Sequence, residues 1–253
     1  MSGLGTLINL AAVAIGGGLG MFAGDRLPER VRRTIMQGLG LVTLAVGIVG
    51  LEPLYDPDAG LRRFIILIAG IILGGLVGEA LRLEDRLESF GSRLQRRWSG
   101  GPAEPGNPER PLEAMKENRF VEGFVVASTV FCAGPLTVLG SIEDGLGISI
   151  RSLAIKSALD FFAAIGFASV YGAGVLASLV TILVYQGGLT LAASLVEPLM
   201  TAEVIAQLGA VGSLLVLGIG LRLLDIARVR IVSLMPALII GPAIAGAVEA
   251  VFL

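Results

Sequence analysis

The sequence predicts an all-α polytopic membrane bundle of about eight spans. Three observations predict it. The chain is 54% hydrophobic and only 16% charged, with a mean hydropathy of +0.84, a balance that soluble domains do not show. Its apolar runs approach or exceed the roughly 18 residues that cross a hydrocarbon core as a helix, without the polar–apolar alternation of a membrane barrel. Its 36 glycines suit the close helix–helix approach on which packing in lipid depends.

The apolar segments are, in order, residues 2–23, 34–51, 64–81, 121–142, 152–170, 172–196, 204–224 and 231–252. The first does not read as a secretory signal, because no Lys or Arg precedes it and Arg26, Arg30, Arg32 and Arg33 follow it. Positive charge gathers on alternate connections. The 24–33 connection holds those four arginines. The 82–119 connection holds Arg82, Arg86, Arg93, Arg96, Arg97, Arg110, Lys116 and Arg119, and the 225–230 connection holds Arg228 and Arg230. The other connections carry only Arg62, Arg63 and Arg151. Positive charge marks the cytoplasmic side, so both termini are expected outside. Eight spans satisfy this rule, and so do six if the fifth and sixth segments are both re-entrant. Seven do not.

The chain divides into residues 1–81, the first three spans; 82–119, a cytoplasmic connection; and 120–253, spans four to eight. Within the connection, Leu83, Leu87, Phe90 and Leu94 recur at helical spacing among arginines. That predicts an amphipathic helix, either lying along the cytoplasmic membrane surface or extending the third span. Pro102, Pro105, Pro108 and Pro111 then mark a flexible linker. A weak internal repeat suggests two parallel four-span halves. Gln37-Gly38 in span two is echoed by Gln186-Gly187 in span six, and Gly134-Pro135 by Gly241-Pro242. GEALRLED at 78–85 is echoed by GIGLRLLD at 218–225. Duplicated halves with a site between them are a common transporter plan, although dipeptides such as Gly-Pro also recur by chance in so apolar a chain.

The candidate site centres on residues 152–193. Lys156 and Asp160 are four residues apart and share a helix face, with Ser157 between them and Ser152 one turn behind. Asp160 lies roughly 12 Å along its helix from Ser152. Its side chain is too short to reach the interface, as a lysine can. The pair therefore either belongs to an ion or solute site or locks helices together. Asn9, Gln37 and Gln186 are amides within spans, and each needs a partner in lipid. They line a path or join helices. Gly134-Pro135 and Gly241-Pro242 are candidate helix breaks, where freed carbonyls could face an ion, or else packed proline kinks. Glu143 and Asp144 form an outer turn, either solvated or attracting cations.

The chain has no histidine and a single cysteine, Cys132. This removes histidine triads, histidine metal sites, an intramolecular disulfide and a thiolate cluster. No phosphate loop, dinucleotide fingerprint or zinc-protease motif occurs. No catalytic residue, metal or cofactor is expected, and nucleic acid is a poor partner for so apolar a chain. The expected partners are the lipid bilayer and an unidentified small ion or solute, with a homo-oligomer compatible with both.

Several stretches together resemble a known family. They are GTLIN (5–9), QGLGL (37–41), FVEGF (120–124), FCAGPL (131–136), GSIEDGL (140–146), IKSALD (155–160) and VYQGGLTLAA (184–193). In this order they resemble the YdfK/YqgA-like bacterial inner-membrane proteins, a domain-of-unknown-function family (DUF 554). Leu136 stands where the family tends to carry Met, and Phe161 where it tends to carry Gly. The resemblance implies a multi-pass protein of the bacterial inner membrane, often labelled a transport protein without an assigned substrate. A transporter or channel for a small ion or solute is the leading expectation. The alternative is a non-transporting scaffold or sensor that acts through the cytoplasmic amphipathic helix. An intramembrane enzyme is the weakest, for want of a nucleophile–base pair.

Overall fold

The computed structural model describes residues 3–24, 28–98, 110–133 and 135–252. Every regular element among them is helical. The long helices are α1 (Leu4–Gly24), α2 (Glu29–Val49), α3 (Gly60–Ala80), α4 (Leu83–Trp98), α5 (Arg110–Ala133), α6 (Pro135–Gly145), α7 (Arg151–Tyr171), α8 (Gly174–Leu191), α10 (Ala202–Leu223) and α12 (Ala237–Phe252). Single turns, α9 (Ala193–Val196) and α11 (Ile231–Leu234), complete the order.

Glycine stripes set the helix pairs and their directions. Gly16, Gly20 and Gly24 on α1 press against the carbonyl oxygens of Phe161, Ile165 and Ser169 on α7. A Cβ at any of the three would land inside the van der Waals shell of that oxygen. The stripe recurs every four residues on both helices, so backbones meet along one face and residue numbers rise together. α1 and α7 are therefore parallel. Gly70, Gly74 and Gly78 on α3 meet Gly241, Ala237 and Ser233, which makes α3 antiparallel to the α11–α12 segment. Gly40, Gly47 and Gly50 at α2 meet Leu224, Leu217 and Ser213 at α10, again antiparallel.

α5 and α6 bend by 62° between Arg119–Cys132 and Leu136–Gly145. Gly134 itself lies outside the described residues, and Pro135 opens α6, where a proline suits a first helical turn. Together the two have the length and composition of one broken span. Gly174, at the start of α8, packs on Phe120, and the Ser128 hydroxyl bonds that of Thr181 at 3.0 Å. Gly145 packs on Thr190, near the end of α8. The pair thus keeps pace with α8 from end to end. With the seven candidate spans, this brings the helices long and apolar enough to cross a membrane to as many as eight. α7 and α8 are uninterrupted helices of 21 and 18 residues, not re-entrant loops.

Two sequence expectations change. Gly241 and Pro242 lie inside α12, which runs through them. The interruption comes earlier, at Met235 and Pro236, where the Pro236 carbonyl accepts from Ile239 and Ile240 and starts α12. Gly241 serves contact instead, seated between Gly70 of α3 and Val211 of α10. The amphipathic helix forms as α4, but it does not extend the third span. Arg82 adopts φ 50° and turns the chain between α3 and α4. Leu83 and Leu87 pack against the Phe120, Phe124 and Val125 cluster of α5, and Phe90 stacks on Phe124 at 5.8 Å. The apolar face of α4 is thus spent largely on the protein itself.

α10 is the most enclosed span, with 61% of its apolar window buried. Its Gln207 is completely buried. Oriented to use both its atoms, the Gln207 amide donates to the Arg63 carbonyl at 3.2 Å and accepts from the Leu67 N–H at 3.0 Å. At the same end Arg63 grips Glu203 with two bonds of 3.1 and 2.7 Å and reaches Asp56 at 3.1 Å. The backbone N–H groups of Ala59 and Asp58, helped by Arg63, hold the Asp56 carboxyl below its usual range. At the opposite end Arg230 bonds Glu79 and Asp85.

Candidate functional site

The N-terminal turn of any helix leaves backbone N–H groups without intrahelical acceptors. In α1 two of them find Asp144, on the last turn of α6. Gly5 N donates to Oδ1 at 3.1 Å and Thr6 N to Oδ2 at 3.3 Å. Asp144 is 1% exposed, so the expectation of a solvated or cation-attracting turn does not hold. A carboxylate here meets both the free donors and the positive end of the helix dipole. Glu143 beside it accepts from the Ser152 hydroxyl at 2.7 Å.

One turn deeper, the polar contacts pass to side chains. The Thr6 and Thr190 hydroxyls lie 3.0 Å apart, and Gln186 Nε2 donates to Thr6 Oγ1 at 3.2 Å. Asn9 Nδ2 donates to Gln186 Oε1 at 2.9 Å. The Asn9 amide also lies near the Asp160 carboxylate. Asp160 is paired with Lys156 one turn away on α7. The Lys156 ammonium lies 5.9 Å from the centre of the Phe131 ring, where the negative ring face adds a second favourable contact. Asn9 and Gln186 are completely buried, and Lys156 and Asp160 nearly so. Asn9 and Gln186 are each five residues from a helix end, about 7.5 Å at helical rise, and Asp160 lies still deeper from its own end.

The structure therefore gathers Asn9, Gln186, Lys156 and Asp160 into one cluster joining α1, α7 and α8, with Phe131 of α5 against it. Ser157 is buried nearby, but its hydroxyl donates to Leu153 on its own helix at 2.6 Å. Gln37 does not join. It is exposed on the outer side of α2, because α2 turns Gly40 and Gly47 toward α10 and Gln37 falls off that stripe. Thr6 and Thr190, which are not among the sequence candidates, join the cluster, and Asp144, expected as an outer turn, caps the end of α1 beside it. Thr6 precedes Asn9 by three residues and Thr190 follows Gln186 by four, and that helical spacing is the signal that points to them.

One atom stands out. Among the described residues Asn9 Oδ1 is the buried atom of this cluster without a hydrogen-bond partner, a state that costs about 1–3 kcal/mol for a neutral acceptor. The cluster thus presents a carboxylate, its paired ammonium and an unused carbonyl oxygen at membrane depth.

Residues 4–246 match the family described as a protein of unknown function, DUF554. The chain belongs to that family. The matched stretch of this DUF554 protein contains every residue of the cluster. It is 31% identical over 249 residues to the uncharacterized protein YqgA of Escherichia coli (strain K12), covering 98% of this chain and 99% of the relative. It is 25% identical over 240 residues to the uncharacterized membrane protein YdfK of Bacillus subtilis (strain 168), covering 95% and 94%. No solved structure matches the DUF554 chain. The apolar spans and the membrane-protein relative place it in a membrane.

Proposed function

We propose that this protein is a transporter or channel for a small ion or solute, with Asp160, Lys156, Asn9 and Gln186 as its intramembrane binding site. The observation that carries the reading is the unpartnered Asn9 Oδ1 beside the Asp160–Lys156 pair. A purely structural ion pair calls for no such acceptor, and leaving one buried is unfavourable. In this reading Lys156 neutralises Asp160 while the site is empty, and the arriving ion or polar solute takes up the free carbonyl and the carboxylate. The site draws Asn9 and Asp144 from the first four spans and Lys156, Asp160 and Gln186 from the last four, in keeping with a site between two halves. In this reading the membrane is the bacterial inner membrane, as the family resemblance implies, and the distribution of arginines favours both termini outside, which puts Asp144 and Thr6 toward the external mouth.

The test is flux of a panel of ions and small solutes in membrane vesicles. The double variant Lys156→Met, Asp160→Asn leaves no unpaired charge, so it should stay folded while flux falls to that of vesicles without the protein. Wild-type flux in the folded double variant sinks the assignment. The second reading, a scaffold or sensor acting through α4, draws on a cavity of about 780 Å³ between α4, α5 and the segment after α10, lined by Glu88, Glu122, Asp225 and Arg228 among others. In that case Glu88→Lys would abolish function and the intramembrane double variant would not.

A further inference from the structure

α2 is the least enclosed of the straight spans. Only 11% of its apolar window is buried, against 28–61% in the others. Gly40, Leu44 and Gly47 seat it on α10. Its outer side carries Thr34, Gln37, Gly38, Leu41, Val42 and Ala45, all exposed. Leucine, valine and alanine there suit lipid. Gln37 and Gly38 do not.

Gln37 lies about 12 Å along α2 from its first residue, and its amide has no hydrogen-bond partner among the described residues. A primary amide facing hydrocarbon needs one. At Gly38 an added Cβ would meet nothing within 4 Å, so packing within one chain does not require a glycine there. Glycine also weakens a helix interior relative to alanine. On α1 and α3, by contrast, the stripe glycines press against a neighbouring backbone. A further helix against this side of α2 accounts for both residues at once.

We infer that α2 forms the seam of a homodimer, with Gln37 on the twofold axis. The self-complementarity of the amide selects a second copy as the occupant. A glutamine amide carries donor and acceptor together. A twofold axis along the membrane normal sets two Gln37 side chains at equal depth, each Nε2 donating to the other's Oε1. Thr34 and Gly38 form a small pair at i, i+4 spacing, which lets the two helices approach closely. Arg30 and Arg33 lie at the membrane-surface end of α2, where they can splay apart into water and headgroups. The seam is separate from the buried cluster, so it stands whether or not that cluster transports anything.

Oxidative cross-linking in native membranes tests the seam. In a Cys132→Ala background, Gly38→Cys and Leu41→Cys should give disulfide-linked dimers on a non-reducing gel. Leu7→Cys on α1 and Ile72→Cys on α3, equally open to lipid, should give only the collisional background. Gln37→Leu should raise the dimer dissociation constant about five- to tenfold in a detergent dilution series, the effect of roughly 1–1.4 kcal/mol from the interhelical amide hydrogen bonds, with the Tm of the monomer unchanged. Equal cross-linking at seam and control positions overturns the inference. So does a seam cysteine that links to a different membrane protein, or a dimer fraction that ignores Gln37→Leu.

Discussion

Lys156 and Asp160 show how little a single residue's chemistry says without its neighbours. Removing one partner of a buried pair leaves a charge uncompensated, at a cost of about 3–5 kcal/mol, whereas replacing both with apolar or neutral groups is often nearly neutral. Lys156→Met alone should therefore lower the Tm in detergent markedly, and the double variant Lys156→Met, Asp160→Asn should recover most of the loss. A double variant as unstable as the single one would mean that the loss comes from the missing lysine packing and not from an uncompensated carboxylate. These four residues were legible in the sequence, since polar groups are conspicuous in apolar runs. Their convergence was not. Asn9 and Gln186 are 177 residues apart, and nothing local distinguishes Gln186-Gly187 from Gln37-Gly38. What separates them is which side of each helix meets a neighbour, and packing decides that. The role of Asp144 is hidden for the same reason, because a Glu-Asp-Gly run at a helix end resembles a solvated turn until α1 is laid against it.

At the scale of elements, glycine does the sorting. Gly20 touches the Ile165 carbonyl and the Ala168 methyl with no room for a side chain. Gly20→Leu should force α1 from α7, separate Asn9 from Asp160, and lower the stability, read as a fall in Tm, by more than the few tenths of a kcal/mol expected on an exposed helix face. Leu19→Ala, on the exposed side of the same helix, is the control. If both variants unfold together, the α1–α7 interface is not held by this stripe. The existence of the spans and the amphipathic helix at α4 could be read from hydropathy and spacing, because both follow from local pattern. The fate of the two Gly-Pro dipeptides could not. One stands at a helix junction bent by 62°. The other sits mid-helix, clamped by Gly70 and Val211, and only the tertiary neighbours tell them apart.

At the scale of the whole molecule, the helix directions bear on topology. α1 parallel to α7, α2 antiparallel to α10, α3 antiparallel to α12 and α5–α6 parallel to α8 are all satisfied by eight alternating crossings. Asp58, between α2 and α3, and Glu88, on α4, are exposed at opposite ends of the bundle. In a Cys132→Ala background, Asp58→Cys should react with an impermeant thiol reagent added outside intact cells, and Glu88→Cys only after the membrane is opened. Labelling of both from the same side would break the alternation. The mutual hold of α1 and Asp144 has a consequence for biosynthesis. The N–H groups of Gly5 and Thr6 await an acceptor about 140 residues downstream in the chain, and the partner surface of α1 on α7 emerges later still. During synthesis at about 5–20 residues per second, the first helix waits many seconds in the membrane with an uncapped end and an open glycine face. The earliest span made is among the last to settle, and a chain arrested before residue 171 offers that face to whatever insertion machinery or neighbouring helix stands beside it.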